Sequence, residues 1–216
     1  MKKDMIYLGV FLIMVVVFSF PLARASLPLS GKVIAIDPGH GGVDPGSVVG
    51  EVEEKAINLN ISKALKKELE RLGAKVYLTR EADYDLASPN AYLRKKSDFD
   101  HRISLIHQSH ADYYVSIHMN YLSDSSYYGP QVFYSNVFDE NKEIAKIIQE
   151  TLNEKLHTNR ETKKISNVIY MYSKLKVPGV LIECGFLSNA NEREKLIQEN
   201  YVNELAKVIA ESFTKI

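Results

Sequence analysis

Twenty-seven basic side chains balance 27 acidic ones over 216 residues, which excludes the basic field of a nucleic-acid binder or an anionic membrane surface. With 45% hydrophobic residues the chain can bury a full core, and its length suits one domain plus a targeting segment. One cysteine, Cys184, rules out an intrachain disulfide.

The chain opens with Lys2 and Lys3, an uncharged apolar run from Met5 to Leu22, and the A-x-A-like site Ala23-Arg24-Ala25. Residues 1–25 are therefore expected to be a signal peptide. A retained membrane anchor is the alternative, because the run nears the roughly 20 residues that span a bilayer. Either reading places the remainder, residues 26–216, outside the cytoplasmic membrane.

Beyond residue 30 strands and helices alternate. Lys32-Val33-Ile34-Ala35-Ile36 reads as a buried strand, which Pro38 and Gly39 end so that His40 is presented where the turn opens. A helix is expected from Glu54 to Leu72, with Ile57, Ile61, Leu65 and Leu69 on one side and Gly73 as its stop. A strand from Lys75 to Thr79 precedes a loop over residues 84–97 and a helix from Asp98 to His110. Tyr113 to Ile117 is a strand that delivers His118. A Tyr- and Ser-rich loop over 119–130 follows. A strand from Gln131 to Tyr134, a helix from Glu140 to Leu156, a strand from Val177 to Glu183 and a helix from Asn200 to Phe213 complete the chain. This alternation predicts a single α/β domain with a mostly parallel central sheet flanked by helices on both faces. Ligands bind such sheets at the carboxyl ends of strands, where His40, His118 and Glu183 are expected to converge. The two long loops are substrate walls or plain solvated connections.

Two His and one Glu make a catalytic zinc set, and a further Glu can move protons. His40 and His118 qualify by position at strand ends. The Gly-rich turn around His40 could instead cradle phosphate, but no G-x-x-x-x-G-K run is present. Glu54 opens a helix, where an acid is ordinarily a dipole partner, and Glu51 and Glu53 compete with it. Glu183 ends an apolar strand, where burial would raise its pKa toward a proton-shuttling value. Cys184 follows on the opposite face and reads as a small buried hydrophobe, with a zinc thiolate or a nucleophile as the sharper alternative. His107 and His110 share a helix face without a third ligand, and His101 and His157 look structural or solvated.

Four ordered motifs then carry a resemblance: Ile36-Asp37-Pro38-Gly39-His40-Gly41-Gly42, Glu54-Lys55, Ser116-Ile117-His118-Met119-Asn120, and Ile182-Glu183-Cys184-Gly185-Phe186-Leu187-Ser188-Asn189. Together they resemble zinc-dependent N-acetylmuramoyl-L-alanine amidases of the amidase-3 type over residues 31–216. The resemblance implies one Zn²⁺ on His40, Glu54 and His118, with Glu183 as the catalytic carboxylate, and so selects Glu54 over its neighbours. It implies hydrolysis of the amide joining the lactyl group of N-acetylmuramic acid to L-alanine of the peptidoglycan stem peptide. Leu27-Pro28-Leu29-Ser30-Gly31-Lys32, the stretch from Thr79 to Ala87, and Arg94-Lys95-Lys96-Ser97-Asp98 are similar to the family's spore-cortex branch. That similarity implies action around the forespore toward muramic-δ-lactam, the mark read at germination. Met119 and Cys184 depart from the family pattern and bear on rim shape. With no wall-binding repeat in view, an extracytoplasmic protein partner is expected. The rival readings are a zinc peptidase acting within the stem peptide and a non-catalytic muropeptide-binding module.

Overall fold

The structure, a computed structural model, describes residues 26–165 and 169–216. The targeting segment expected over 1–25 lies outside the described residues. In chain order the elements are β1 (Val33–Pro38), β2 (Val48–Val49), β3 (Val52–Glu53), α1 (Glu54–Arg71), β4 (Lys75–Leu78), α2 (Arg94–Gln108) and β5 (Tyr113–Asn120). Then come β6 (Gln131–Tyr134), α3 (Glu140–Leu156), β7 (Lys163–Lys164), α4 (Tyr170–Lys174), β8 (Gly179–Phe186), α5 (Ala190–Leu196) and α6 (Glu199–Phe213).

Strands buried on both faces need apolar side chains in both directions, and β1, β5 and β8 meet that demand. They form the middle of a six-stranded sheet ordered β4-β1-β5-β8-β6-β7. Every pairing is parallel except β6 with β8. Ile34, Ile36, Val115, Ile117, Val180 and Ile182 point to the face covered by α1, α3 and α6. The alternate positions Ala35, Tyr114 and Leu181 point to the face covered by α2 and α4, through Ile106, Met171 and Tyr172. The α/β sheet with helices on both faces stands as expected. By the same alternation Asp37, Ser116, His118 and Glu183 share the α2/α4 side. Among the described residues no helix is long and apolar enough to cross a membrane.

Some boundaries differ. α2 starts at Arg94, about one turn before the expected Asp98. Its first turn has neither an acid nor a side-chain cap to announce it, and it is tied down from outside the helix by Asp85 on Arg94 and by the Leu86 amide on Asp98. β5 and β8 run past His118 and Glu183 to Asn120 and Phe186. The two residues therefore sit inside strands, directly in register, with an irregularity in the ladder between His118 and Asn120. The β2–β3 hairpin, β7, α4 and α5 are too short for periodicity to mark.

Candidate metal centre and active site

The site is built around a strained turn. His40 follows β1 with φ 61°, a left-handed conformation that costs a residue bearing a Cβ about 1–2 kcal/mol unless its surroundings enforce it. Two buried arginines supply that enforcement by taking all three carbonyls of Pro38-Gly39-His40. Arg80 Nε donates to Pro38 O at 3.0 Å and Nη2 to Gly39 O at 2.9 Å. Arg102 Nη1 donates to Pro38 O at 2.7 Å and Nη2 to His40 O at 2.6 Å. Arg102 is 1% exposed, and its charge is offset by Asp37 and Asp98, each at 2.8 Å. Burial pushes the Asp37 carboxyl up, but Arg102 and Thr79 outweigh it and hold the group below the usual carboxylate range. Gly39 has no room for a side chain, because a Cβ there would overlap the His118 ring.

Glu54 opens α1 and is 3% exposed. Its Oε2 accepts Ser47 N–H at 2.9 Å, and its Oε1 accepts Met119 N–H at 3.1 Å, a donor next to the irregularity in the β5 ladder. Asn58, one turn along α1, donates to Gly39 O at 3.1 Å and to Glu54 Oε1 at 3.3 Å, so helix and turn are locked together. The same Oε1 lies 3.2 Å from His40 Nε2 and 3.1 Å from His118 Nδ1. The two imidazoles meet edge to face with centroids 5.0 Å apart. Glu53 instead pairs with Lys55, and Glu51 is exposed. Gly46, at φ 69°, lets the backbone pass so close that a Cβ would come within 2.6 Å of Glu54 Oε2.

One donor atom from each of His40, Glu54 and His118 lies within 4.8 Å of the others, so the group could hold a metal ion, and no other such group occurs among the described residues. Two imidazole nitrogens and a carboxylate oxygen are a donor set that suits zinc. Burial raises Glu54, but hydrogen bonds to His118 and His40 prevail and keep it ionised far below its ordinary range. Burial lowers His40, but Asp44 and Glu54 outweigh it and lift the imidazole to about 9. The cluster thus favours a positive charge; a proton on His40 supplies one, and a metal would displace it.

Glu183 faces this cluster from β8, in register with His118 on one side and Gln131 on the other. Its Oε2 is buried with no hydrogen-bond partner. Burial, and then the charge of Glu54, push its carboxyl up to about 8 against the opposing effect of His40. The pKa rise expected from the apolar strand is present, and it suits a group that must both take and give a proton near neutral pH. Glu183 also lines a cavity of about 220 Å³ with His40 and His118, together with Phe99, Met171, Tyr172 and Leu181 and the half-exposed Lys95.

The remaining histidines stay apart. His107 Nε2 accepts Lys176 N–H at 3.0 Å, and His101 Nδ1 lies 2.8 Å from Ser97 O. His110 and His157 stand at positive φ just beyond α2 and α3. Cys184 is buried in the core on the face opposite Glu183, where burial pushes its thiol far up, as befits a small hydrophobe. Met119 is likewise a core side chain under α1 and does not shape the rim. Several site residues had escaped the sequence reading. Asp44 Oδ2 lies 3.0 Å from His40 Nδ1, and Lys95 pairs with the same carboxylate. Arg102 did leave a signal, a cation inside the Phe99, Ile103, Ile106 stripe of α2.

Taken together, a group able to hold a metal and a carboxyl poised near neutrality, both at the carboxyl edge of a parallel sheet, are an arrangement that suits a metal-dependent hydrolase. A family model described as N-acetylmuramoyl-L-alanine amidase matches residues 34–215. The chain belongs to this amidase-3 family and is a peptidoglycan amidase. It is 42% identical over 188 residues to a germination-specific N-acetylmuramoyl-L-alanine amidase of Bacillus subtilis, covering 85% of this chain and 79% of that one. The CwlD amidase of Clostridioides difficile, solved in complex with the GerS lipoprotein, superposes with TM-score 0.80 at 39% identity, over 85% of this chain and 97% of that one. An N-acetylmuramoyl-L-alanine amidase from Clostridium difficile 630 gives TM-score 0.75 at 30% identity, over 85% and 95% of the two chains.

Proposed function

We propose that the amidase reaction of this chain runs on one zinc ion held by His40, Glu54 and His118, with Glu183 as the proton-transfer group, on spore-cortex peptidoglycan. The observation that carries the site assignment is the gathering of the three donors within 4.8 Å beside a carboxyl with no partner of its own. When bound, zinc supplies a Lewis acid for the scissile carbonyl and lowers the pKa of a ligated water to about 7. Glu54 keeps its place through the Ser47 and Met119 amides and Asn58. Glu183 takes the proton of the attacking water. It then delivers that proton to the nitrogen of L-alanine, which leaves poorly unless protonated. Met171, Tyr172 and Leu181, all buried, give this transfer a largely apolar surround.

The cortex assignment is supported by the 42% identity to the germination-specific enzyme and extends to preparing the muramic-δ-lactam mark. Action outside the cytoplasmic membrane, around the forespore, is supported by the signal-like run before residue 26. The GerS lipoprotein bound to the Clostridioides difficile amidase supports a protein partner in the same compartment. Metal-stripped protein should lose turnover and recover it with one equivalent of zinc, while His40→Ala and His118→Ala should retain little zinc when the metal is counted after dialysis. Full zinc content in both variants would contradict the ligand assignment.

A further inference from the structure

The run Arg94-Lys95-Lys96 opens α2 against its own electrostatics. Three cations occupy the first turn of a helix, no acid accompanies them, and Leu93 offers no side-chain cap. Departures from local preference of this kind concentrate at functional sites. Two of the three cations are accounted for within the fold. Arg94 Nη2 donates to both carboxylate oxygens of Asp85, and Lys96 pairs with Asp100 beneath the Tyr170 ring. Lys95 is different, because it lines the cavity that holds His40, His118 and Glu183. Its ammonium stands 5.0 Å from the centre of the Phe99 ring and pairs with Asp44, yet the side chain is 52% exposed. An ammonium has three donors, so capacity remains on the cavity side.

Resting on the proton-transfer role proposed for Glu183, the geometry decides which half of the substrate enters this cavity. Glu183 must reach the nitrogen of the departing L-alanine, so the peptide half lies along the wall that Glu183 shares with Leu181, Met171 and Tyr172. That apolar wall suits the alanine methyl. The next stem residue, D-glutamate, is joined through its side-chain carboxyl and therefore carries a free α-carboxylate close to the scissile bond. The glycan half offers hydroxyl and acetamido groups there, and no anion. A cation at the edge of the cavity matches only the peptide half. We propose that Lys95 recognises the α-carboxylate of the second stem-peptide residue, which makes it a specificity-determining residue of this amidase.

The test uses two matched muropeptides, one with D-glutamate at the second position and one with its α-carboxylate amidated. Amidation should lower the wild-type kcat/KM about tenfold, chiefly through KM, as loss of one charge-assisted hydrogen bond would. Lys95→Gln should lose a similar factor on the acid substrate and become indifferent to amidation, and Lys95→Arg should restore the preference. A wild type that does not discriminate would overturn the proposal. So would a Lys95→Gln loss that is equal on both substrates or accompanied by lost zinc, since the lysine would then act through Asp44 and His40. A zinc-loaded wild type that cleaves neither muropeptide would contradict the amidase mechanism itself and take this inference with it.

Discussion

The surroundings of Glu183 resist its ionisation, and this has consequences for stability as well as for proton transfer. In the metal-free protein its carboxyl rises from an ordinary 4.5 to about 8. The folded state therefore holds this proton more tightly than the unfolded chain, and its stability falls as pH climbs from about 4.5 to about 8. His40, lifted to about 9, adds a loss in the same direction, but that loss is common to the wild type and a Glu183 variant. Metal-free Glu183→Gln and wild type should consequently unfold at similar denaturant concentrations at pH 5. By pH 9 the variant should be the more stable by on the order of a few kcal/mol. Parallel pH profiles in urea titrations would remove burial as the cause of the shift. Asp44 acts on the other side of the cluster. Replacing it by Asn leaves His40 Nδ1 without its carboxylate partner and should weaken zinc retention by about 10- to 100-fold in competition with a chelator.

At the scale of elements, the turn after β1 depends on an arginine delivered from α2. Arg102→Met would leave Asp37 and Asp98 buried without their cation and free the His40 carbonyl, while Arg80 keeps that of Pro38. The expected cost is about 3–5 kcal/mol, read as a lower midpoint of thermal or urea unfolding, with reduced zinc binding by whatever protein remains folded. An unfolding midpoint equal to that of the wild type would show that Arg80 alone enforces the turn. The elements also show what was legible beforehand. Ile57, Ile61, Leu65 and Leu69 repeat with helical spacing and Gly73 follows, so α1 could be placed within a residue. α2 could not, because Arg94-Lys95-Lys96 has neither apolar period nor cap, and contacts from other parts of the fold hold it. The strands delivering His118 and Glu183 were visible as apolar runs. Their continuation to Asn120 and Phe186 depends on partner strands, which a single strand's residues do not reveal.

At the scale of the whole molecule, the sheet order makes neighbours of residues far apart in sequence. β1, β5 and β8 lie side by side, so the turn bearing His40, then His118, then Glu183 fall along one edge, and α1 lifts Glu54 to the same edge from the opposite face. Strand-end position alone pointed to His40, His118 and Glu183. It could not choose among Glu51, Glu53 and Glu54, because the choice is made by Ser47, Asn58 and the Met119 amide, each of which is brought to Glu54 by folding. Asp44 and Lys95 were hidden for the same reason: their link to His40 spans the β1 turn and the start of α2. The central claim is that Glu183 performs proton transfer beside a metal held by the other three residues. It is tested most directly by incubating the zinc-loaded wild type and Glu183→Gln with cortex peptidoglycan, identifying released products by mass spectrometry and counting zinc in both proteins. Equal zinc content is expected, with free stem peptides beginning at L-alanine from the wild type and none above background from the variant. Stem peptides released by Glu183→Gln at the wild-type rate would contradict it.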